Sequence, residues 1–119
     1  MEGLNPARPP GGTPLCDLAD IADPGSREFR FRQGEALFAG FVVRVGEAVF
    51  GYVDSCPHAG WPLGGLAGGH LTREGDLILC GAHGARFRRE DGVCVTGPCV
   101  GRTLGRWAVE TQRGRVVTL

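Results

Sequence analysis

Cys56-Pro57-His58 and Cys80-Gly81-Ala82-His83 are two short segments that each place a thiol and an imidazole within one tight turn. Between His58 and Cys80 lie 21 residues. Two such turns that face each other form a four-ligand site of two sulfur and two nitrogen atoms. This donor set fits a closed zinc site or a [2Fe–2S] cluster with one iron on two Cys and the other on two His.

Around these segments, glycine is abundant and the apolar stretches are short and rich in Val and Phe. Helix-period patterns are hard to find, so the sequence predicts an all-β domain of short strands and tight turns. Val45-Gly46-Glu47 and Gln112-Arg113-Gly114 are typical of hairpin turns. The predicted strands are 15–21, 27–31, 37–44, 48–54, 77–80, 85–88, 103–110 and 115–119.

The size and charge of the chain exclude several classes of protein. Its 119 residues suit one compact domain, and its formal net charge is zero, so electrostatics imply no nucleic-acid or membrane partner. No segment has the length of a transmembrane helix. Residues 1–14 are rich in Pro and Gly and lack a signal-peptide-like apolar stretch, which predicts a flexible N-terminal arm.

Three of the five cysteines, Cys16, Cys94 and Cys99, stand outside the two segments. An odd remainder without a secretion signal argues against a disulfide scaffold and indicates a reducing cytoplasm. Cys94 and Cys99 could form a labile disulfide or pack as small apolar groups. Packing is the expected arrangement in the cytoplasm, and Cys16 is expected in the core.

The sequence around the ligand pairs resembles the cluster-binding loops of Rieske [2Fe–2S] proteins. Cys56-Pro57-His58-Ala59-Gly60-Trp61-Pro62-Leu63 is similar to the first loop, and Cys80-Gly81-Ala82-His83-Gly84-Ala85-Arg86-Phe87 to the second. Asp91-Gly92 and Gly97-Pro98 resemble the turn and the Gly-Pro loop that cover the cluster. The resemblance covers residues 15–119. The 21-residue gap is a few residues longer than usual, and we assign the excess to a glycine-rich surface excursion.

The resemblance implies an all-β Rieske fold over residues 15–119. An antiparallel base domain of sandwich or barrel type would come from both chain ends, with a small cluster-binding β subdomain inserted at about 55–98. Cys56 and Cys80 would hold the inner iron of the cluster. His58 and His83 would hold the outer iron, with their ring edges near the surface as the exit for the electron.

The same resemblance implies an electron carrier without catalytic residues. It would move one electron at a time on its [2Fe–2S] cluster from a flavoprotein reductase to a terminal oxygenase. Two alternatives stay open: a small or accessory Rieske subunit of a reductase complex, and a zinc-binding interaction module without redox chemistry.

Four non-ligand positions distinguish the kind of Rieske site. Trp61 and Ala82 occupy the places of two cysteines that bridge the loops in the high-potential respiratory type. Ala85 and Phe87 replace a Ser and a Tyr whose hydroxyls donate hydrogen bonds near the cluster, and neither replacement can donate. Fewer donors leave the reduced cluster less stabilised, which predicts a potential of about −150 mV.

Three other features have simpler interpretations. His70, which lies among glycines, is expected in an exposed loop without a metal role. Trp107 is expected to fill the core of the base domain. Arg86, Arg88 and Arg89 form a basic run that is expected to be a solvated face, the alternative being docking of an acidic partner.

Overall fold

The computed structural model describes residues 5–55, 70–80 and 84–119. In these ranges the chain forms nine short or medium β-strands and one 3-10 turn, Leu18–Asp20. The strands are β1 (Pro14–Asp17), β2 (Gly25–Gln33), β3 (Ala36–Val45), β4 (Ala48–Val53), β5 (Leu77–Leu79), β6 (Arg86–Arg88), β7 (Cys94–Thr96), β8 (Val109–Gln112) and β9 (Arg115–Thr118).

The strands form three antiparallel sheets of three strands each, with the orders β1-β9-β8, β2-β3-β4 and β5-β6-β7. The first sheet joins the beginning of the domain to its end. The other two sheets are each a meander of strands consecutive in sequence. The all-β class and the antiparallel pairing predicted for the chain are confirmed.

Both predicted hairpin turns are present. β3 and β4 pair from Gly40 opposite Val53 to Val45 opposite Ala48, and Gly46 between them has a φ of 63°. In the turn from β8 to β9, Arg113 and Gly114 have φ values of 52° and 78°. Two consecutive left-handed residues match the right-handed twist of the flanking strands, so this turn closes the hairpin tightly.

Trp107 occupies the centre of one core, as the sequence predicts. It is buried, and its ring meets those of Phe29, Phe31 and Phe38 edge-on at centroid distances between 5.1 and 6.3 Å. A Cβ on Gly40 would lie only 2.5 Å from the indole, so glycine at this position lets β3 approach the ring. Edge-to-face aromatic packing of this kind adds stabilisation beyond burial alone.

A second core joins the β2-β3-β4 sheet to the β5-β6-β7 sheet. It contains aromatic and aliphatic side chains from both sheets together with three cysteines: Phe41, Val43, Tyr52, Ile78, Cys80, Ala85, Phe87, Cys94, Cys99 and Leu104. Cys80, a predicted metal ligand, is therefore anchored in apolar packing that spans two sheets.

Several details differ from the sequence-based expectations. Residues up to Pro14 were expected to form a flexible arm, whereas Ala7 is buried and Gly12 donates its amide proton to the Thr118 carbonyl (2.7 Å). The first predicted strand ends at Asp17 and continues as the 3-10 turn. The predicted strand 103–110 begins only at Val109, and β7 was not predicted. Within the described ranges, no helix is long and apolar enough to span a membrane.

Candidate metal centre

Cys80 lies directly after β5, in the connection that leads to β6, and its side chain is buried. Its amide donates to the Ala85 carbonyl (2.8 Å), and its carbonyl accepts from the Gly84 amide (2.9 Å). These two hydrogen bonds close a tight loop. Gly84 has a φ of 70°, a conformation that glycine adopts without the strain of a side chain.

Gly97 brings a second loop against the first. It has a φ of 99°, and a Cβ at this position would lie 2.7 Å from the Cα of Ala85 and 3.1 Å from its Cβ. Only a residue without a side chain allows so close an approach. The Gly97-Pro98 turn therefore packs directly on Ala85, two residues after the second ligand pair.

The first ligand pair follows the end of β4. Asp54 donates its amide proton to the Ala39 carbonyl (2.9 Å), and Ser55 donates to the Val53 carbonyl (2.9 Å). The chain is thereby fixed up to the residue before Cys56. Three of the four predicted ligands, namely Cys56, His58 and His83, lie outside the described residues, as do Trp61, Pro62 and Ala82.

Ala85 and Phe87 are fully buried beside Cys80 in the second core. Neither side chain has a hydrogen-bond donor. Both side chains therefore lie in the same core as Cys80, and neither supplies a hydroxyl there.

The cysteines outside the ligand pairs lie in apolar surroundings. Cys94 and Cys99 are buried with their Sγ atoms 3.2 Å apart, and Cys94 also contacts the Thr96 carbonyl (3.1 Å). They pack as thiols in the second core. Cys16 is half-buried in β1, and burial raises the pKa of its thiol.

His70 is buried, so the expectation of an exposed loop is wrong. Its ring stacks on Phe41 with a centroid distance of 4.1 Å, and its Nε2 lies 3.4 Å from Oδ2 of Asp54. Neither neighbour is close in sequence, so the glycines around His70 gave no signal of its burial.

The basic run next to the second loop is largely engaged locally. Arg88 makes an ion pair with Asp91, and this interaction lowers the pKa of the Asp91 carboxyl. Arg89 donates to the Gly75 carbonyl (3.0 Å) and lies 3.6 Å from the carboxylate of Glu90. These contacts support a structural role for two of the three arginines over the docking alternative.

Comparison with known proteins identifies the family. The model of the Rieske [2Fe-2S] domain matches residues 13–113. Ferredoxin CarAc from Metapseudomonas resinovorans is 33% identical over 102 residues, which cover 86% of this chain and 87% of the relative.

Solved structures agree with the sequence matches. One match is a chain from the complex of reduced oxygenase and oxidized ferredoxin in carbazole 1,9a-dioxygenase, which is 29% identical and has a TM-score of 0.66. The match covers 88% of this chain and 89% of that chain. The carbazole 1,9a-dioxygenase ferredoxin from Nocardioides aromaticivorans IC177 has a TM-score of 0.68 at 23% identity, with 89% of this chain and 96% of that chain covered. The second structure supports the fold alone. With the family model matching most of its length, the chain belongs to the Rieske [2Fe–2S] domain family, and its cofactor is a [2Fe–2S] cluster.

Proposed function

We propose that the protein is a ferredoxin that carries single electrons on one Rieske cluster held by Cys56, His58, Cys80 and His83. The cluster supplies reversible one-electron chemistry. The observation that carries the ligand assignment is the buried Cys80 turn, closed by hydrogen bonds to Gly84 and Ala85 and backed by Gly97. The remaining ligands follow from the sequence pattern and the family.

The chain contributes the surroundings of the cluster. Apolar side chains pack around the buried Cys80 and would keep water from its sulfur in the loaded protein, and burial of this kind tunes a cluster potential. Ala85 and Phe87 offer no hydroxyl to stabilise the reduced state. A missing hydrogen bond to a charged acceptor is worth about 1.5–3 kcal/mol, so the proposal includes a low potential, about −150 mV.

We further propose that residues 55–98, approximately, form the cluster-binding subdomain of a Rieske domain that comprises residues 15–119. In support, β5, β6 and β7 make a sheet of their own within this range. The second core attaches that sheet to the β2-β3-β4 sheet through Phe41 and Tyr52.

The proposed partners are a flavoprotein reductase as donor and a terminal oxygenase as acceptor, in the cytoplasm. Support comes from relatives: CarAc is named a ferredoxin, and one similar chain was solved with an oxygenase. An electron carrier needs no substrate pocket, and the proposal assigns no catalytic residue to this chain.

Replacement of the ligands tests the assignment. Cys56→Ala and Cys80→Ala should each abolish the visible absorbance of the cluster and reduce the iron content from about two atoms per chain to near zero. Cys94→Ala and Cys16→Ala are matched controls, since each removes a thiol outside the site, and both should retain iron. A Cys80→Ala protein with full iron content would overturn the assignment.

The acceptor can be tested with the oxygenase component of carbazole 1,9a-dioxygenase as a probe. Reduced protein mixed with that oxygenase in the absence of oxygen should become reoxidised, while the oxygenase gains an equal number of electrons. If electrons instead pass only to a reductase complex, the accessory-subunit alternative gains support. Zinc in place of iron, after cluster loss is excluded, would support the interaction module.

A further inference from the structure

Three side chains of metal-ligating type, none of them a predicted cluster ligand, meet at one point. Glu28 lies on β2, Asp54 follows β4, and His70 precedes β5. One ligand atom from each lies within 4.8 Å of the other two. The Nε2 atom of His70 is 3.4 Å from Oδ2 of Asp54 and 3.9 Å from Oε2 of Glu28.

The histidine of this group is held in a fixed position. Its side chain is 4% exposed, and its ring stacks on Phe41 with an interplanar angle of 8°. Its amide donates to Ser26 Oγ (3.2 Å), and its carbonyl accepts from the Leu79 amide (2.8 Å). Nδ1 is buried without a partner among the described residues, so the polar contacts of the ring are made through Nε2.

The two carboxylates complete a site with one open side. The side chain of Asp54 is fully buried, whereas that of Glu28 is 31% exposed and leaves a path to solvent. Glu28 uses its other oxygen, Oε1, in an ion pair with Arg30 (3.2 Å). Oε2 therefore remains directed towards His70.

The separations fit ligands around a common cation better than direct hydrogen bonds. Charge-assisted N–H···O bonds measure about 2.7–2.9 Å, so both contacts of His70 are longer by half an ångström or more. Ligand atoms about 2.0–2.2 Å from a tetrahedral zinc ion lie roughly 3.4 Å from each other. The third atom, Oε2 of the partly exposed Glu28, lies within 4.8 Å of the other two, and its side chain would have to move closer to reach that separation.

We propose that Glu28, Asp54 and His70 form a second metal site, which binds one zinc ion through Oε2, Oδ2 and Nε2. One nitrogen and two carboxylate oxygens are ordinary zinc ligands, and water completes the fourth position on the open side. The ion neutralises two carboxylates, one of them fully buried.

The site has a structural consequence for the cluster-binding loops. Asp54 lies two residues before Cys56 in the sequence. The His70 carbonyl accepts a hydrogen bond from the amide of Leu79, the residue before Cys80. Glu28 belongs to the β2-β3-β4 sheet. A zinc ion would thus fasten the beginning and the end of segment 55–70 to the same strand. The expected result is a slower loss of the cluster when zinc is bound.

Zinc titration of the iron-loaded protein tests the proposal. The protein is first treated with a chelator, at a concentration that leaves about two iron atoms per chain in place. It is then titrated with zinc chloride by calorimetry. Mass spectrometry finally measures how many zinc and iron atoms each chain holds. One zinc per chain should bind with no loss of iron. Glu28→Gln should weaken zinc binding at least tenfold, because even residues that only orient a ligand cost 10–100-fold.

Two further variants make the result specific. Glu47→Gln removes the same charge from an exposed turn and should bind zinc as the wild type does. His70→Gln should lose zinc binding. If the His70→Gln protein does not fold, Glu28→Gln alone tests whether this group binds zinc. Zinc should also raise the melting temperature of the wild type and of Glu47→Gln, but not of Glu28→Gln.

Two results would overturn the proposal. If Glu28→Gln binds zinc as tightly as the wild type, or if no protein binds it saturably, the group is a histidine–carboxylate pair without a metal. If zinc enters only as iron leaves, it occupies the cluster ligands instead. The iron count separates these outcomes from a failure of the ferredoxin assignment, which would appear as absence of iron before any zinc is added.

Discussion

At the scale of single residues, Gly97 is the position where backbone conformation and close packing coincide. Its φ of 99° is unfavourable for residues with a Cβ, and the space that a Cβ would need is filled by Ala85. Gly101 has a similar φ of 93°, yet nothing lies within 4 Å of a Cβ placed there. A Cβ at Gly101 would cost only backbone strain, whereas a Cβ at Gly97 would cost backbone strain and a steric clash with Ala85.

Gly97→Ala should lower the free energy of unfolding by more than the roughly 1 kcal/mol typical of alanine at a left-handed position. The collision involves the Ala85 backbone, so it should also accelerate loss of the cluster. Chemical denaturation and the decay of visible absorbance measure the two effects. Gly101→Ala is the matched control and should show only the conformational cost. Equal losses in both variants would contradict the packing of Gly97 on the second loop.

Tyr52 gives a pH-dependent prediction. Burial, the main cause, raises its pKa to about 12, and its hydroxyl donates to the Arg89 carbonyl (2.7 Å). The unfolded value is about 10, so the folded state holds the proton more tightly. The associated stability is complete below pH 10 and is lost as the pH rises through 12.

Tyr52→Phe should be less stable than the wild type at neutral pH by about 1 kcal/mol, the value of one hydrogen bond. The difference should narrow between about pH 10 and 12. Since Tyr52 is the only tyrosine in the chain, tyrosinate absorbance reports its ionisation directly. A titration midpoint near 10 in the folded protein would refute the buried environment.

The sequence offers a local pattern for the proposed ligand residues but none for buried polar residues such as His70. Cys80 is recognisable because a Cys and a His at short spacing on one loop are required by metal coordination. The burial of His70 depends on Phe41 and Asp54, which are 29 and 16 positions away, and no local pattern encodes contacts at that range. The burial of Trp107 was predicted correctly, because a large aromatic side chain gains most stability when it is removed from water.

At the scale of elements, the turn between β6 and β7 depends on Asp91. Its carboxylate accepts from the Val93 amide (3.0 Å) and pairs with Arg88. Gly92 next to it has a φ of 73° and packs against the Tyr52 ring. This turn places β7, and with it Cys94, against Phe87 in the third sheet.

Asp91→Asn should destabilise the protein at neutral pH, because the ion pair with Arg88 is lost. The pKa of Asp91 is lowered in the fold, so its contribution is present above the unfolded value of about 3.9 and disappears as the pH falls through the folded value. The difference between the denaturation midpoints of the two proteins should therefore shrink as the pH is lowered from 7 to below the unfolded value. A constant difference across this range would show that the charge of Asp91 is not the cause.

The hairpin turns were predictable because glycine at left-handed positions leaves a local signature, as at Gly46 and Gly114. β7 was missed because a three-residue strand has too few residues for a visible alternation. It exists through pairing with β6. Likewise, the strand predicted from Thr103 begins only at Val109, since the preceding residues make isolated bridges at Thr103 and Arg106 instead of a continuous ladder.

At the scale of the whole molecule, two hydrophobic cores hold the three sheets together. The core around Trp107 joins the β2-β3-β4 sheet to the β1-β9-β8 sheet, and Val42 and Val116 are among its buried residues. The core around Phe41 joins the β2-β3-β4 sheet to the β5-β6-β7 sheet and includes Cys80, which follows β5. The turn at Cys80, a proposed cluster ligand, is therefore supported by packing that spans two sheets.

A redox titration followed by electron paramagnetic resonance tests the central claim most directly. The reduced protein should give the rhombic signal of a [2Fe–2S] cluster with mixed His and Cys ligation, and a one-electron midpoint near −150 mV. A midpoint well above zero would contradict the low-potential site derived from Ala85 and Phe87. A colourless, zinc-containing protein without this signal, isolated under conditions that preserve iron–sulfur clusters, would contradict the electron-carrier account altogether.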